Sequence, residues 1–201
     1  MSTALIPPAT SAADWDRYYA ANGGPRLISE YELRWFRGQV RPRSSWRAID
    51  LGCGIGSWTA QLHRLGMQVT GYDYSQAAID RALRRGANSV YAQRIDFRVW
   101  DIVADPVPDD LRPGTVDLIT CRASLAYLDP ATLLDKVAPL LTPGGVFYAL
   151  IPLNTSPSPD PYYRGMALQD IVRLGRGRWT ERSRYRLGDT HRALVLRDYT
   201  A

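Results

Sequence analysis

The chain has 201 residues, 45 % of them apolar, which suits one large domain with its own core and leaves little room for two. Its two cysteines, Cys53 and Cys121, are too few for a disulfide framework or a zinc cluster and point to a reduced compartment. The net charge of +5 comes from 25 basic residues, all arginine except Lys136, against 20 acidic ones; such scattered charge reads as a solvated surface, and the arginines between Arg164 and Arg197 are the one stretch that could track phosphates.

The opening run MSTALIPPATSAADWD has neither a basic start nor an apolar core of signal length, and no segment approaches the ~18 apolar residues of a membrane span. A cytoplasmic protein with no membrane partner is expected. Ser11 to Asn22 predicts a short helix capped by Ser11, carrying Trp15, Tyr18 and Tyr19 and ended by Gly23-Gly24. SEYELRWFR, from Ser29 to Arg37, predicts a second helix with a serine cap, and Pro42, Ser44 and Ser45 form a linker.

Strands and helices then alternate. WRAIDLG, QVTGYDYS, IDFRVWDI, TVDLITC and GGVFYALIP read as five strands; SWTAQLHRLG, QAAIDRALRRG and PATLLDKVAPLL read as helices, the last two capped by Ser75 and Asp129. Val103 to Gly114, rich in Pro and Asp, predicts an extended connection or a stunted helix. Such alternation implies right-handed crossovers and a parallel sheet covered by helices on both faces. Beyond the Pro-rich TSPSPDP, a helix is predicted near Tyr163 to Leu174, and WTERSRYRL and RALVLRD, joined by GDTH, predict an antiparallel hairpin. The expected fold is an α/β Rossmann-like three-layer sandwich whose mostly parallel seven-stranded sheet ends in an antiparallel strand.

AIDLGCGIGS, residues 48–57, is the most informative stretch. Glycines at 52, 54 and 56 between a strand and a helix allow close backbone approach to a ligand. The spacing departs from the dinucleotide pattern, since Gly56 comes one residue early, and Asp50 before the loop would repel a pyrophosphate. Asp73 closes the second strand about twenty residues past the loop, where a carboxylate can take both hydroxyls of a ribose, and Asp101 closes the third. One such carboxylate alone would read as a helix cap. Three around one amide-rich turn suit a nucleoside with a positively charged tail and no phosphates.

With these residues the chain resembles the class I S-adenosylmethionine-dependent methyltransferases, from Trp46 to Asp198. IDLGCGIG, VTGYDYS, FRVWDI, TVDLITCRASLAYL and LTPGGVFYALIP match the family's motifs in order, and the terminal hairpin matches its inserted seventh strand. The resemblance implies that Asp50, Gly52, Cys53, Gly54 and Gly56 hold the methionine moiety and Asp73 the ribose. It gives Asp101 with Ile102 to the adenine, Tyr74 to the adenine face, and Cys121 with Arg122 to the sulfonium side. It also implies S-adenosylmethionine as cofactor, S-adenosylhomocysteine as product and no metal. Residues 1–45 become an N-terminal helical lid and substrate segment, and 46–201 the cofactor-binding domain.

A sulfonium methyl is already activated, so positioning and exclusion of water suffice and acid–base groups are optional. Acceptor contacts are expected at the C-terminal edge of the sheet, from Trp15, Tyr18 and Tyr19 of the first helix and from Tyr127, Asn154, Tyr162 and Tyr163 of the loops. His191, in the hairpin turn, and Tyr19 are the candidate catalytic residues; His63 reads as structural. DPYY at 160–163 mimics a motif of base-amine methyltransferases but follows the wrong strand. The reading is methyl transfer to a small molecule, a natural-product or secondary-metabolite intermediate, by a monomer or homodimer. The alternatives are cyclisation or rearrangement on the same cofactor and RNA methylation through the C-terminal arginines.

Overall fold

Period-two alternation in the strands and 3.6-residue periodicity in the helices build the architecture. The computed structural model describes residues 10–21, 23–24, 26–87, 95–155, 160 and 162–200; the first nine residues and most of the TSPSPDP loop lie outside them. The elements are α1 (Ala12–Ala20), α2 (Glu30–Val40), β1 (Arg47–Leu51), α3 (Ser57–Arg64), β2 (Gln68–Asp73), α4 (Gln76–Ala87), β3 (Ile95–Val99), β4 (Val116–Arg122), α5 (Pro130–Val137), β5 (Leu141–Pro152), α6 (Leu168–Arg173), β6 (Trp179–Leu187) and β7 (His191–Tyr199). They form a seven-stranded sheet in the order β3-β2-β1-β4-β5-β7-β6. β1 to β5 are mutually parallel, and β7 runs antiparallel between β5 and β6.

The alternation separates two cores. On one face Ala48, Leu118, Tyr148, Leu150 and Val195 pack with Leu33, Phe36 and Val40 of α2 and Trp58 and Leu62 of α3. On the other, Ile49, Leu51, Ile119, Phe147 and Leu194 meet Leu133, Leu134 and Val137 of α5 and Ile171 of α6. Each such fully buried Leu, Ile or Phe stabilises the fold by about 1.5–3 kcal/mol. The same alternation turns Asp50 and Thr120, register partners on β1 and β4, toward α3.

The caps expected from sequence are present. Ser11 and Asp14 form a reciprocal capping box on α1, Ser29 accepts from the Glu32 amide, and Asp129 accepts from the Ala131 and Thr132 amides. Ser75 Oγ accepts from the Ala78 amide of α4 at 3.1 Å. α1 docks on α4 through reciprocal caps: Asp16 accepts from Ser75 Oγ at 2.6 Å and from the Ala77 amide at 3.1 Å. Arg81 in turn donates to the carbonyls of Tyr19 and Gly23, both at 2.8 Å.

Two expectations change. The helix predicted over Tyr163 to Leu174 begins only at Leu168, because the preceding backbone pairs with the end of β5: Leu153 bridges Met166, and the Met166 amide donates to the Pro152 carbonyl. β3 stops at Val99, since Asp101 Oδ1 accepts from the amides of Val103 at 2.9 Å and Ala104 at 3.1 Å and turns the chain.

Candidate functional site

A cavity of about 260 Å³ opens at the C-terminal ends of the parallel strands. Asp50, Gly52, Cys53, Gly54, Asp73, Tyr74, Asp101, Ile102 and Arg122 line it, and so do Trp15, Tyr18, Tyr19, Tyr127 and Tyr162.

The glycine loop forms one end. Gly52, Gly54 and Gly56 have φ of 65°, 54° and 79°, a region that favours glycine. At Gly54 a Cβ would stand 2.6 Å from the Tyr19 hydroxyl. Asp73, at the end of β2, accepts from the Gly54 amide at 2.8 Å and from the Ser75 amide at 3.0 Å, so it braces the loop. Asp50 is 1 % exposed, and its oxygens accept from Thr59 Oγ1 at 2.7 Å and Thr120 Oγ1 at 2.8 Å. Burial pushes the Asp50 carboxyl up to about 6, against the pull of the two threonine hydroxyls and the Arg122 charge. It pushes Asp73 up to about 6 as well, against the amides of Ser75 and Gly54, and the charge of Asp16 adds to the rise. Both groups gain from a cation beside them.

Two buried polar atoms at the start of α3, Ser57 Oγ and Trp58 Nε1, have no hydrogen-bond partner among the described residues, and both residues line the cavity. A loop that admits no Cβ, carboxylates that favour a cation and orphaned donors at a helix start fit an amino-acid-bearing sulfonium nucleoside.

An aromatic cage forms the other end. Trp15 stacks on Tyr19 at 5.7 Å and meets Tyr18, Tyr127 and Tyr162 edge-on at 5.4, 5.2 and 5.3 Å between ring centroids. The Tyr127 hydroxyl donates to the Tyr162 carbonyl at 2.7 Å and accepts from the Arg164 amide at 3.0 Å. Burial, with Asp73 nearby, raises Tyr19 beyond the ordinary phenol range, so its hydroxyl stays protonated at neutral pH. Tyr74 lines the cavity between the two ends and donates to the Thr10 carbonyl at 3.1 Å.

Several predicted residues lie elsewhere. Cys121 alternates with Arg122, so it faces the α5 side, fully buried in the core, while Arg122 faces α2. The Arg122 guanidinium is taken up by Glu32: Nε donates to Oε1 at 2.6 Å and Nη2 to Oε2 at 2.9 Å, with the two side chains 9 % and 7 % exposed. Its Nη2 also donates to the Leu27 carbonyl at 2.7 Å and its Nη1 to the Arg26 carbonyl at 3.3 Å. Arg122 therefore ties the connection between α1 and α2 to the end of β4. Gly56 caps α3 from behind the loop, where a Cβ would meet Phe97. Asn154 pairs with Met166 through its backbone, and Tyr163 lies under Arg26; neither lines the cavity.

His191 sits opposite Pro152 at the C-terminal edge of the parallel strands, as the hairpin geometry predicts. It is half-buried beside Thr190 Oγ1, 2.9 Å from Nδ1, and stays outside the cavity lining. Burial lowers its pKa, so the ring is neutral at physiological pH.

Glu32, Arg26, Ser57 and Trp58 are not among the residues expected from sequence. Glu32 had a signal: it shares the i, i+4, i+8 stripe of Phe36 and Val40, both buried. Its pairing with Arg122, ninety positions on, had none. Among the described residues no group of His, Cys, Asp and Glu is placed to hold a metal, and no helix is long and apolar enough to cross a membrane.

Comparison with known proteins agrees with this geometry. A family model described as a methyltransferase domain matches residues 49–149. The ubiquinone biosynthesis O-methyltransferase of Albidiferax ferrireducens is 32 % identical over 132 residues, covering 65 % of this chain and 50 % of that protein. Its namesake in Xanthomonas axonopodis pv. citri is 29 % identical over 154 residues, 73 % of this chain and 60 % of that one. The chain thus spans about half the length of the curated relatives it matches. Two solved structures share the fold at low identity. The geranyl diphosphate C-methyltransferase from Streptomyces coelicolor A3(2), in complex with S-adenosylhomocysteine, has a TM-score of 0.67 at 19 % identity, covering 96 % of this chain and 100 % of that one. The [4+2]-cyclase SpnF has a TM-score of 0.71 at 16 % identity, covering 98 % and 100 %. By its sequence match, its sheet order and its glycine loop, this chain belongs to the class I S-adenosylmethionine-dependent methyltransferases.

Proposed function

We propose that the chain moves the methyl group of S-adenosylmethionine to a small-molecule acceptor, such as an intermediate of secondary metabolism. One observation carries the reading: a single cavity joins a carboxylate-lined glycine loop to a cage of aromatic rings. In this reading Asp73 takes the ribose hydroxyls, Asp101 with Ile102 and Tyr74 surrounds the adenine, and Asp50 with Gly52 to Gly54 faces the methionine end. When bound, the cofactor supplies a methyl group already activated on a sulfonium cation.

The chain's own residues then bind, orient and exclude water. Trp15, Tyr18, Tyr127 and Tyr162 cover the acceptor. Tyr19 stays protonated and offers a hydrogen bond in place of a base. Arg122 acts through Glu32 as a positioning residue, and the proposal assigns no proton transfer to His191.

The test is incubation of the full chain with methyl-labelled S-adenosylmethionine and a panel of small aromatic acceptors. Label transfer with stoichiometric release of S-adenosylhomocysteine is expected. Cofactor binding without release for any acceptor that binds would overturn methyl transfer in favour of cyclisation or rearrangement.

A further inference from the structure

Opposite charges line the two ends of the cavity. Asp50, Asp73 and Asp101 stand at the cofactor end, and the cationic side chains in the lining are Arg26 and Arg122. Arg122 is neutralised by Glu32. Arg26 has no carboxylate within ion-pair distance among the described residues.

Among the described residues, the partners of its guanidinium are all neutral. Nη2 donates to the Tyr162 carbonyl at 3.0 Å and to the Tyr127 hydroxyl at 3.3 Å, and the guanidinium lies 5.2 Å over the Tyr163 ring. These bonds fix the guanidinium plane through one terminal nitrogen; Nε and Nη1 make no hydrogen bond among the described residues. The backbone below is held too, because Arg122 donates to the carbonyls of Arg26 and Leu27. A half-buried cation, fixed at both ends and fringed by the rings that cage the acceptor, is a receptor for an anion.

We propose that Arg26 receives a carboxylate carried by the acceptor, so that the acceptor class is a planar aromatic acid. The proposal rests on the reading of this cavity as a methyl-acceptor site. The aromatic cage selects a flat ring, and the planar guanidinium fork matches a carboxylate better than a point charge would. Charge also sets the direction of entry: Asp50 and Asp73 repel the carboxylate, so it stays at Arg26 and the far edge of the ring is turned toward the glycine loop.

The test uses 1-naphthoate and its neutral isostere 1-naphthamide, titrated calorimetrically into the full chain saturated with S-adenosylhomocysteine, with inorganic phosphate as a third probe. Naphthoate should bind at least about tenfold tighter than naphthamide, the worth of a charged hydrogen bond. Arg26→Met should abolish the preference, and Arg26→Lys, which keeps the charge but loses the fork, should retain part of it. Should Arg26→Met fail to fold, Arg26→Gln takes its place with the same expectation. S-adenosylhomocysteine affinity should be unchanged in each variant. Equal binding of the two naphthyl probes, no binding of naphthoate, a preference that survives loss of the arginine, or displacement of naphthoate by equimolar phosphate would each overturn the proposal. Failure of the wild-type chain to bind S-adenosylhomocysteine would instead remove the cofactor reading beneath it, a separate result.

Discussion

The two ends of the cavity are built by different means. Asp50, Asp73 and Asp101 follow from neighbouring strands of one sheet: β1 pairs with β2 and β2 with β3, so their C-terminal ends lie side by side. Backbone hydrogen bonds hold the loop there, among them the Cys53 amide to the Tyr72 carbonyl at 3.0 Å. The aromatic end is assembled from α1, the connection to α2 and the loops after β4 and β5, joined by ring contacts and by the Arg122–Glu32 pair. A site set by strand order is fixed once the sheet forms. A site set by long-range side-chain contacts depends on each of them, and in the proposed function this is where acceptor choice can change without loss of cofactor.

The largest effect should come from breaking that long-range tie. Arg122→Met leaves Glu32 buried without a partner and should cost about 3–5 kcal/mol of stability by denaturant unfolding, whereas the double change with Glu32→Leu should recover most of the loss. Recovery would show that the pair positions the connection between α1 and α2 more than it stabilises the fold. At the other end, Gly54→Val places a branched side chain at φ 54° against Tyr19 and should weaken S-adenosylhomocysteine binding by about 100-fold or more, with the chain still folded.

Acidity divides the two ends again. Asp50 and Asp73 titrate at about 6 in the folded chain against an ordinary 3.8, so between those values the folded chain holds more protons than the unfolded one. Stability of the free chain should therefore fall as pH rises from about 4 to about 6 and level off above that. Affinity for the cationic S-adenosylmethionine should rise over the same interval, by about tenfold, as the carboxylates ionise. S-adenosylhomocysteine, which lacks the sulfonium charge, should gain less. Thermal melts and calorimetry at about pH 5 and about pH 7.5 check both slopes. Smaller still, Tyr19→Phe removes a hydroxyl that stays protonated and should slow transfer by less than about tenfold at a constant pH profile. His191→Asn should leave both binding constants unchanged within error.

The fold was legible in the chain from Trp46 onward, because strand period, helix caps and the glycine loop are local signals. Ser11, Ser29, Ser75 and Asp129 all cap as read. What stayed hidden depends on pairing across the chain. The resemblance placed Cys121 and Arg122 together, although strand parity turns Cys121 to the core and Arg122 to α2. That Arg122 would spend its charge on Glu32 and on two carbonyls needed the packed structure. The short α6 shows the same limit, since a bridge between Leu153 and Met166 overrode the local helical pattern.

The central claim is that one cavity holds S-adenosylmethionine on its carboxylate end and an acceptor in its aromatic end. Calorimetric titration of S-adenosylhomocysteine into the wild-type chain, Asp73→Ala and Trp15→Ala tests it most directly. Binding should be present in the wild type, lost in Asp73→Ala and retained in Trp15→Ala. Binding that survives Asp73→Ala, or that disappears in a folded Trp15→Ala, would contradict the division of the cavity.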